Sequence, residues 1–209
     1  MGKGFVMVEG QGEKDAVQNL ITRLWTDLGL PQTHWSEPWR YSSSKTKEHV
    51  IQACNRLRRR GDVAALLVLR DADDDCPKTL GPEMAQWLRA ENLPFPSAAV
   101  LLCREYETLF LPCLASMGGT PLPRASDEKT PGMSFSHDYE RRRGVKELLR
   151  KHLPSKRYKP TLDQLMLTRS INFNDIRSSG LPSFGTLERA LGFLAGALGE
   201  GGVYPPPPA

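Results

Sequence analysis

The sequence predicts an α/β fold with a mainly parallel sheet, helices on both faces and a helical C-terminal extension. Three observations carry this. Short apolar runs alternate with amphipathic helical stripes through the first hundred residues, and such alternation implies right-handed crossovers and parallel strands. The runs at 63–69 and 97–103 are continuously apolar, as in strands covered on both faces. Gly29 and Gly61 each close a helical stripe, glycine being the usual residue just past a helix end.

In chain order, residues 5–9 form a short apolar strand ending at Glu9. Residues 13–29 carry Ala16, Val17, Leu20, Ile21, Leu24, Trp25 and Leu28 on one helical face. Residues 33–41 read as a strand weakened by Pro38. Trp35, Trp39 and Tyr41 alternate there and would line one sheet face, as core residues or as a base-stacking platform. Residues 46–60 repeat the helical stripe with Val50, Ile51, Cys54 and Leu57, and 80–92 form the next helix. After Thr108 the pattern changes. Residues 117–133, rich in Gly, Pro and Ser, read as a long loop, 138–153 as a basic helix, and 161–171 as another helix. Phe184, Leu187, Leu191, Leu194 and Leu198 make 183–198 amphipathic. The proline-rich end, 201–209, reads as extended and disordered. The expected organisation is a domain over 1–116, a loop over 117–136, a basic helical extension over 137–200 packed on the domain, and a tail.

The 209 residues suffice for one full core, and 39% hydrophobic with 25% charged residues is ordinary for a globular chain. No apolar run reaches the roughly 18 residues of a membrane span. Residues 5–8 are too short for a secretory h-region, so a cytoplasmic protein is expected. Cys54, Cys76, Cys103 and Cys113 and the four histidines show no zinc-type spacing. Cys54 and Cys103 read as small core residues, and no disulfide is expected. The net charge of +4 is mild, but 138–160 holds nine basic residues against three acids. That segment, with Arg141, Arg142, Arg143, Lys146 and Lys159, is the candidate nucleic-acid surface.

The chemistry concentrates in acids at strand ends. The apolar run 66–69 leads through Arg70 into Asp71, Ala72, Asp73, Asp74 and Asp75. Carboxylates this close repel unless a cation relieves them, and hard divalent cations favour oxygen ligands. In extended geometry Asp71 and Asp73 point to the same side and would share a metal, with Asp74 or Asp75 available to a second ion or simply facing water. A helix-loop-helix calcium site fails, because Cys76 and Pro82 stand where Gly and a bidentate Glu are required. Near the N-terminus, Glu9 and Glu13 flank Gly10 and Gly12, which can take positive φ and allow close backbone approach to a ligand. A third group, Arg104-Glu105-Tyr106-Glu107, follows the 97–103 strand, and Glu107 is the acid chosen to complete the metal shell. In a parallel sheet, ligands bind beyond the carboxyl ends of the strands. Three acidic strand ends therefore fit a two-metal phosphoryl-transfer site using Mg²⁺ or Mn²⁺. Lys146, Lys159, Arg177 and Arg189 are candidate phosphate clamps that spacing does not rank.

The order of these pieces resembles the TOPRIM domain of topoisomerases, primases and overcoming-lysogeny-defect nucleases. The matching residues are Val8-Glu9-Gly10 and Leu69-Arg70-Asp71-Ala72-Asp73, over roughly 4–112. The resemblance implies a Rossmann-like TOPRIM fold, with Glu9 and Glu13 serving one metal and Asp71 and Asp73 the other. Residues 69–77, 104–107 and 158–164 look like the small stand-alone TOPRIM-like bacterial proteins that accompany ABC-type ATPases in defence loci. The chain has no Walker Gly-Lys-Ser/Thr, so any ATP dependence would come from an ABC/AAA-type partner. The expected function is a metal-dependent nuclease acting on DNA, or secondarily RNA, with Glu9, Asp71 and Asp73 as catalytic acids. The alternatives are a catalytically silent nucleic-acid-binding or regulatory subunit, and a nucleotidyl transferase. The oligomeric state is left open.

Overall fold

The computed structural model describes residues 2–10, 12–117, 121–122, 125–129, 138–153 and 158–207. The fold is α/β, with a mainly parallel sheet flanked by helices and a helical C-terminal segment. The sheet strands are β1 (Lys3–Val8), β2 (His34–Trp35), β3 (Trp39–Arg40), β4 (Val63–Asp71), β5 (Pro96–Leu102) and, after the short pair β6 (Pro121–Leu122) and β7 (Ala125–Lys129), β8 (Gly202–Tyr204). Among the described residues the order is β2-β1-β4-β5-β8, all parallel, with β3 also paired to β1.

The helices are α1 (Glu13–Asp27), α2 (Thr46–Arg58), α3 (Pro77–Ala90), α4 (Val145–His152), α5 (Leu165–Arg169), α6 (Phe173–Ser179) and α7 (Pro182–Gly196). The central strands have a side-chain period of two. Val6 and Val8, Leu67 and Leu69, and Ala98, Val100 and Leu102 pack into one core with α1 and residues from α4–α7. Phe5 and Met7, Leu66 and Val68, and Ala99 and Leu101 pack into the other with α2 and α3. The helices after residue 145 thus share a core with α1. Arg23 reinforces the junction by donating to the carbonyls of Thr168 and Ile171, both at 2.7 Å.

The 33–41 strand is two fragments, β2 and β3, both paired to β1 with Pro38 between them. Trp35 and Tyr41 do not line one face: Trp35 packs with Trp25 in the α1 core, and Tyr41 lies in the α2 core. The basic helix is divided into a 3₁₀ turn, Tyr139–Arg141, and α4, with Gly144 at φ +66° between them. Residues 161–171 begin as a π turn, Pro160–Gln164, before α5. The expected loop contains the antiparallel pair β6–β7, and most of its remainder lies outside the described residues. The tail is not featureless: Gly202, Val203 and Tyr204 extend the sheet edge against Pro96, Ser97 and Ala98. The helix α6 had no sequence expectation.

Candidate active site

Because β1, β4 and β5 are parallel neighbours, the acids that follow them meet at one rim. Glu9 follows β1, Asp71 ends β4, and Glu107 lies in the 3₁₀ helix Tyr106–Cys113 after β5. Glu13 opens α1 and folds back, its Oε2 accepting from Gly10 N–H at 3.0 Å. Gly10 and Gly12 are not at positive φ; they serve close approach. A Cβ at Gly10 would strike the Glu13 carboxylate, and one at Gly12 would lie 2.6 Å from the Pro160 carbonyl carbon. The approach is to the protein itself, fixing where α1 starts.

Asp71 and Glu13 are each 9% exposed and Glu107 is fully buried. Burial holds the Asp71 carboxyl well above the usual range, and the charges of Glu13, Glu107 and Asp73 add to this against Lys146. Burial also raises Glu13, with Glu9 adding to it, despite the Gly10 N–H and Lys146. Glu107 is pushed up to about 7 by burial, against the pull of Lys146 and Tyr158. The buried Tyr41 hydroxyl, which donates to Leu69 O at 3.0 Å, is raised by burial and then by Glu9, with Glu13 and Asp71 contributing. Glu9, Glu13, Asp71, Asp73 and Glu107 therefore share one field of negative charge.

The knot after β4 is not extended. Asp73 takes φ +48°, its N–H donates to Arg104 O at 2.8 Å, and Arg104 itself sits at φ +66°. Two non-glycine residues in the left-handed region store strain at the rim. The turn corrects the alternation argument, since Asp71 is buried and Asp73 is exposed. Asp74 pairs with Arg104 at 2.7 Å and Arg143 at 2.6 Å, and Asp75 turns to Arg70 at 3.4 Å.

Of the basic candidates, Lys146 reaches the acids. Its Nζ lies 3.1 Å from Glu105 Oε2 and 3.4 Å from Glu107 Oε2. Partial burial would lower its pKa, but Glu107, Asp71 and Glu105 hold it well above the ordinary lysine value. Glu105 sets the position, accepting from Val145 N–H at 2.7 Å and Lys146 N–H at 3.3 Å at the start of α4. Arg141 pairs with Asp138 at 3.1 Å, Arg142 is half-buried, and Lys159 is exposed. Arg177 is held by Asp27 and Glu188, and Arg189 donates to Thr186 at 2.9 Å.

Sequence reasoning missed the partners of Glu107. Its Oε1 accepts from Tyr158 O–H at 2.8 Å and Gln164 Nε2–H at 3.2 Å. Both belong to the 158–164 phrase, whose aromatic and amide groups were the available signal. Among the described residues, no three His, Cys, Asp or Glu side chains stand in a ready-made metal cage. The donors are nonetheless hard oxygens, and Glu9 Oε2 is buried with no hydrogen-bond partner. By donor chemistry, Glu9, Glu13 and Asp71 fit a hard divalent cation.

A family described as a domain of unknown function, DUF4276, matches residues 8–192. The chain belongs to this family. The DUF4276 match takes in every acid of the rim, together with Lys146, Tyr158 and Gln164, and ends before β8. No curated protein matches the chain. Among the described residues, no helix is long and apolar enough to cross a membrane.

Proposed function

We propose that this chain is a divalent-metal-dependent nuclease of TOPRIM type. It hydrolyses phosphodiester bonds of DNA in the cytoplasm, as the effector of an ATPase–nuclease pair in antiviral defence. The observation that carries the reading is Asp71: a buried carboxylate at the end of a central parallel strand, its pKa raised by burial and by the charges of Glu13, Glu107 and Asp73. Such crowding favours a bound cation as the source of compensating charge. Glu9, Glu13 and Asp71 would hold Mg²⁺ or Mn²⁺, with Asp73 at the exposed lip. The bound metal would supply an activated water and offset charge on the scissile phosphate. Lys146 would meet a phosphate oxygen. Glu105 and Glu107 orient its ammonium, and Tyr158 and Gln164 orient Glu107.

A second reading, a catalytically silent nucleic-acid-binding or regulatory subunit of the ATPase complex, draws support from the same lysine. Lys146 already provides a counter-charge beside the acids, and no closed cage stands among the described residues. Incubation of the purified chain with plasmid, linear DNA and RNA in Mn²⁺ or Mg²⁺, beside Asp71→Ala, separates the two. Cleavage lost in the variant supports the nuclease. Equal cleavage in both, or none with or without the ATPase, sinks it.

A further inference from the structure

A groove of about 560 Å³ opens between β3 and α2. Its walls include Lys14, Trp39, Arg40, His49, Gln52 and Arg56. Among the described residues, Glu37 is the one carboxylate on its lining, and it pairs with Lys14. Among the same residues, no carboxylate pairs with Arg40 or Arg56, and both are exposed. His49, Gln52 and Arg56 follow one another at helical spacing along one face of α2. His49 Nδ1 accepts from Ser42 N–H at 3.1 Å, so the neutral ring carries its proton on Nε2 as a donor. Trp39 is half-buried and edge-on to Phe5 at 5.5 Å.

Pairing of β3 to β1 sets Arg40 level with Val8, and Arg40 Nε donates to the Glu9 carbonyl at 3.2 Å. One wall residue of the groove, Arg40, therefore touches the main chain at the first acid of the cluster. On the opposite side of the cluster, Arg143 and Lys146 stand over the acids that follow β4 and β5. A cationic wall with an aromatic side chain is the chemistry that holds a nucleic-acid strand without reading its sequence.

We infer that the β3–α2 groove is a track for a single nucleic-acid strand, with Arg40 and Arg56 on its phosphates and Trp39 against a base. The strand crosses the acid cluster, leaving it by this groove on one side and by Arg143 and Lys146 on the other. The inference deepens the nucleic-acid part of the proposed function and rests on it.

The test is anisotropy of a short fluorescein-labelled DNA strand in EDTA, titrated with KCl. Arg40→Gln/Arg56→Gln should weaken binding and flatten the log–log salt slope by about 1.4, at roughly 0.7 for each phosphate no longer neutralised. Trp39→Leu should weaken binding about fivefold or more with the slope unchanged. Arg56→Gln alone, at an exposed helix position, should flatten the slope by about 0.7 and serves if the double variant melts early. Wild-type affinity and slope in these variants would overturn the track. If they still cleave and Asp71→Ala does not, the nuclease reading survives that outcome. A flattened slope in a protein that never cleaves would keep the track and remove the nuclease. A wild type that binds no strand removes the track as well.

Discussion

Lys146 Nζ stands 3.4 Å from Glu107 Oε2, and that glutamate has no solvent exposure while the lysine is 44% exposed. The pair joins the 3₁₀ helix after β5 to α4. The Glu107 pKa is raised from 4.5 to about 7. A raised carboxyl binds its proton more tightly in the folded chain than in the unfolded one. Its contribution is full below about pH 4.5 and is lost as pH rises to about 7. The metal-free protein should lose stability across that window, by an amount on the order of 3 kcal/mol. Glu107→Gln should remove this part of the slope. Urea melts of both proteins at a series of pH values would check it; parallel profiles would contradict it.

Replacing the cation tests the same pair from the other side. Lys146→Met should push the Glu107 pKa higher and cost about 1 kcal/mol at neutral pH, solvent screening limiting the effect. Under the proposed function it should lower cleavage by about 10²-fold or more, as for loss of a charge-stabilising donor. Single-turnover cleavage and chemical denaturation give the two readouts.

Under the proposed function, Asp71 would link metal binding to stability. Mn²⁺ at about a hundred times its dissociation constant should stabilise the wild type by roughly 2.7 kcal/mol. Asp71→Asn should show no such gain, yet melt above the wild type without metal, because it removes a buried charge crowded by Glu13 and Glu107. Calorimetric scans with Mn²⁺ and with EDTA would reveal either pattern. A variant stabilised by Mn²⁺ like the wild type would remove Asp71 from the binding set.

Tyr158→Phe should destabilise the chain by about 1.5–3 kcal/mol, the usual worth of a hydrogen bond to a charged group. The Tyr158 hydroxyl donates to Glu107 and lowers its pKa. Its loss should therefore move the upper end of the Glu107 pH transition upward. A fall in stability with an unmoved transition would separate packing from charge.

Gly12→Ala should cost about 1–3 kcal/mol through overpacking. The added methyl would sit 2.6 Å from the Pro160 main chain, which cannot swing away as a side-chain tip would. Displacing this contact should shift the start of α1 and with it Glu13. Denaturant melts, read beside the Mn²⁺ response, would register both effects.

The strand–helix alternation and the acids at strand ends were legible because they rest on local periodicity. Residues such as Val6, Leu67 and Val100 repeat every second position, and Leu20, Ile21 and Leu24 follow the helix period. The 33–41 strand is shorter than its pattern predicts because Pro38 divides it into two fragments. Asp73 left the expected alternation because the chain turns there, its N–H taken by the Arg104 carbonyl. The tail strand β8 carried too short a signal in Gly202, Val203 and Tyr204, and its hydrogen bonds come from β5.

By itself, the amino-acid order determined the parallel α/β architecture and the positions of Glu9, Asp71 and Glu107 after three strands. Those features follow from side-chain period and crossover handedness, which act over a few tens of residues. Only the tertiary structure decided that β1, β4 and β5 are adjacent, that Lys146 rather than Arg177 faces the acids, and that Tyr158 and Gln164 hold Glu107. These choices depend on contacts between residues about 30 to 60 apart, where burial of charge and shared cores, not local pattern, set the energy.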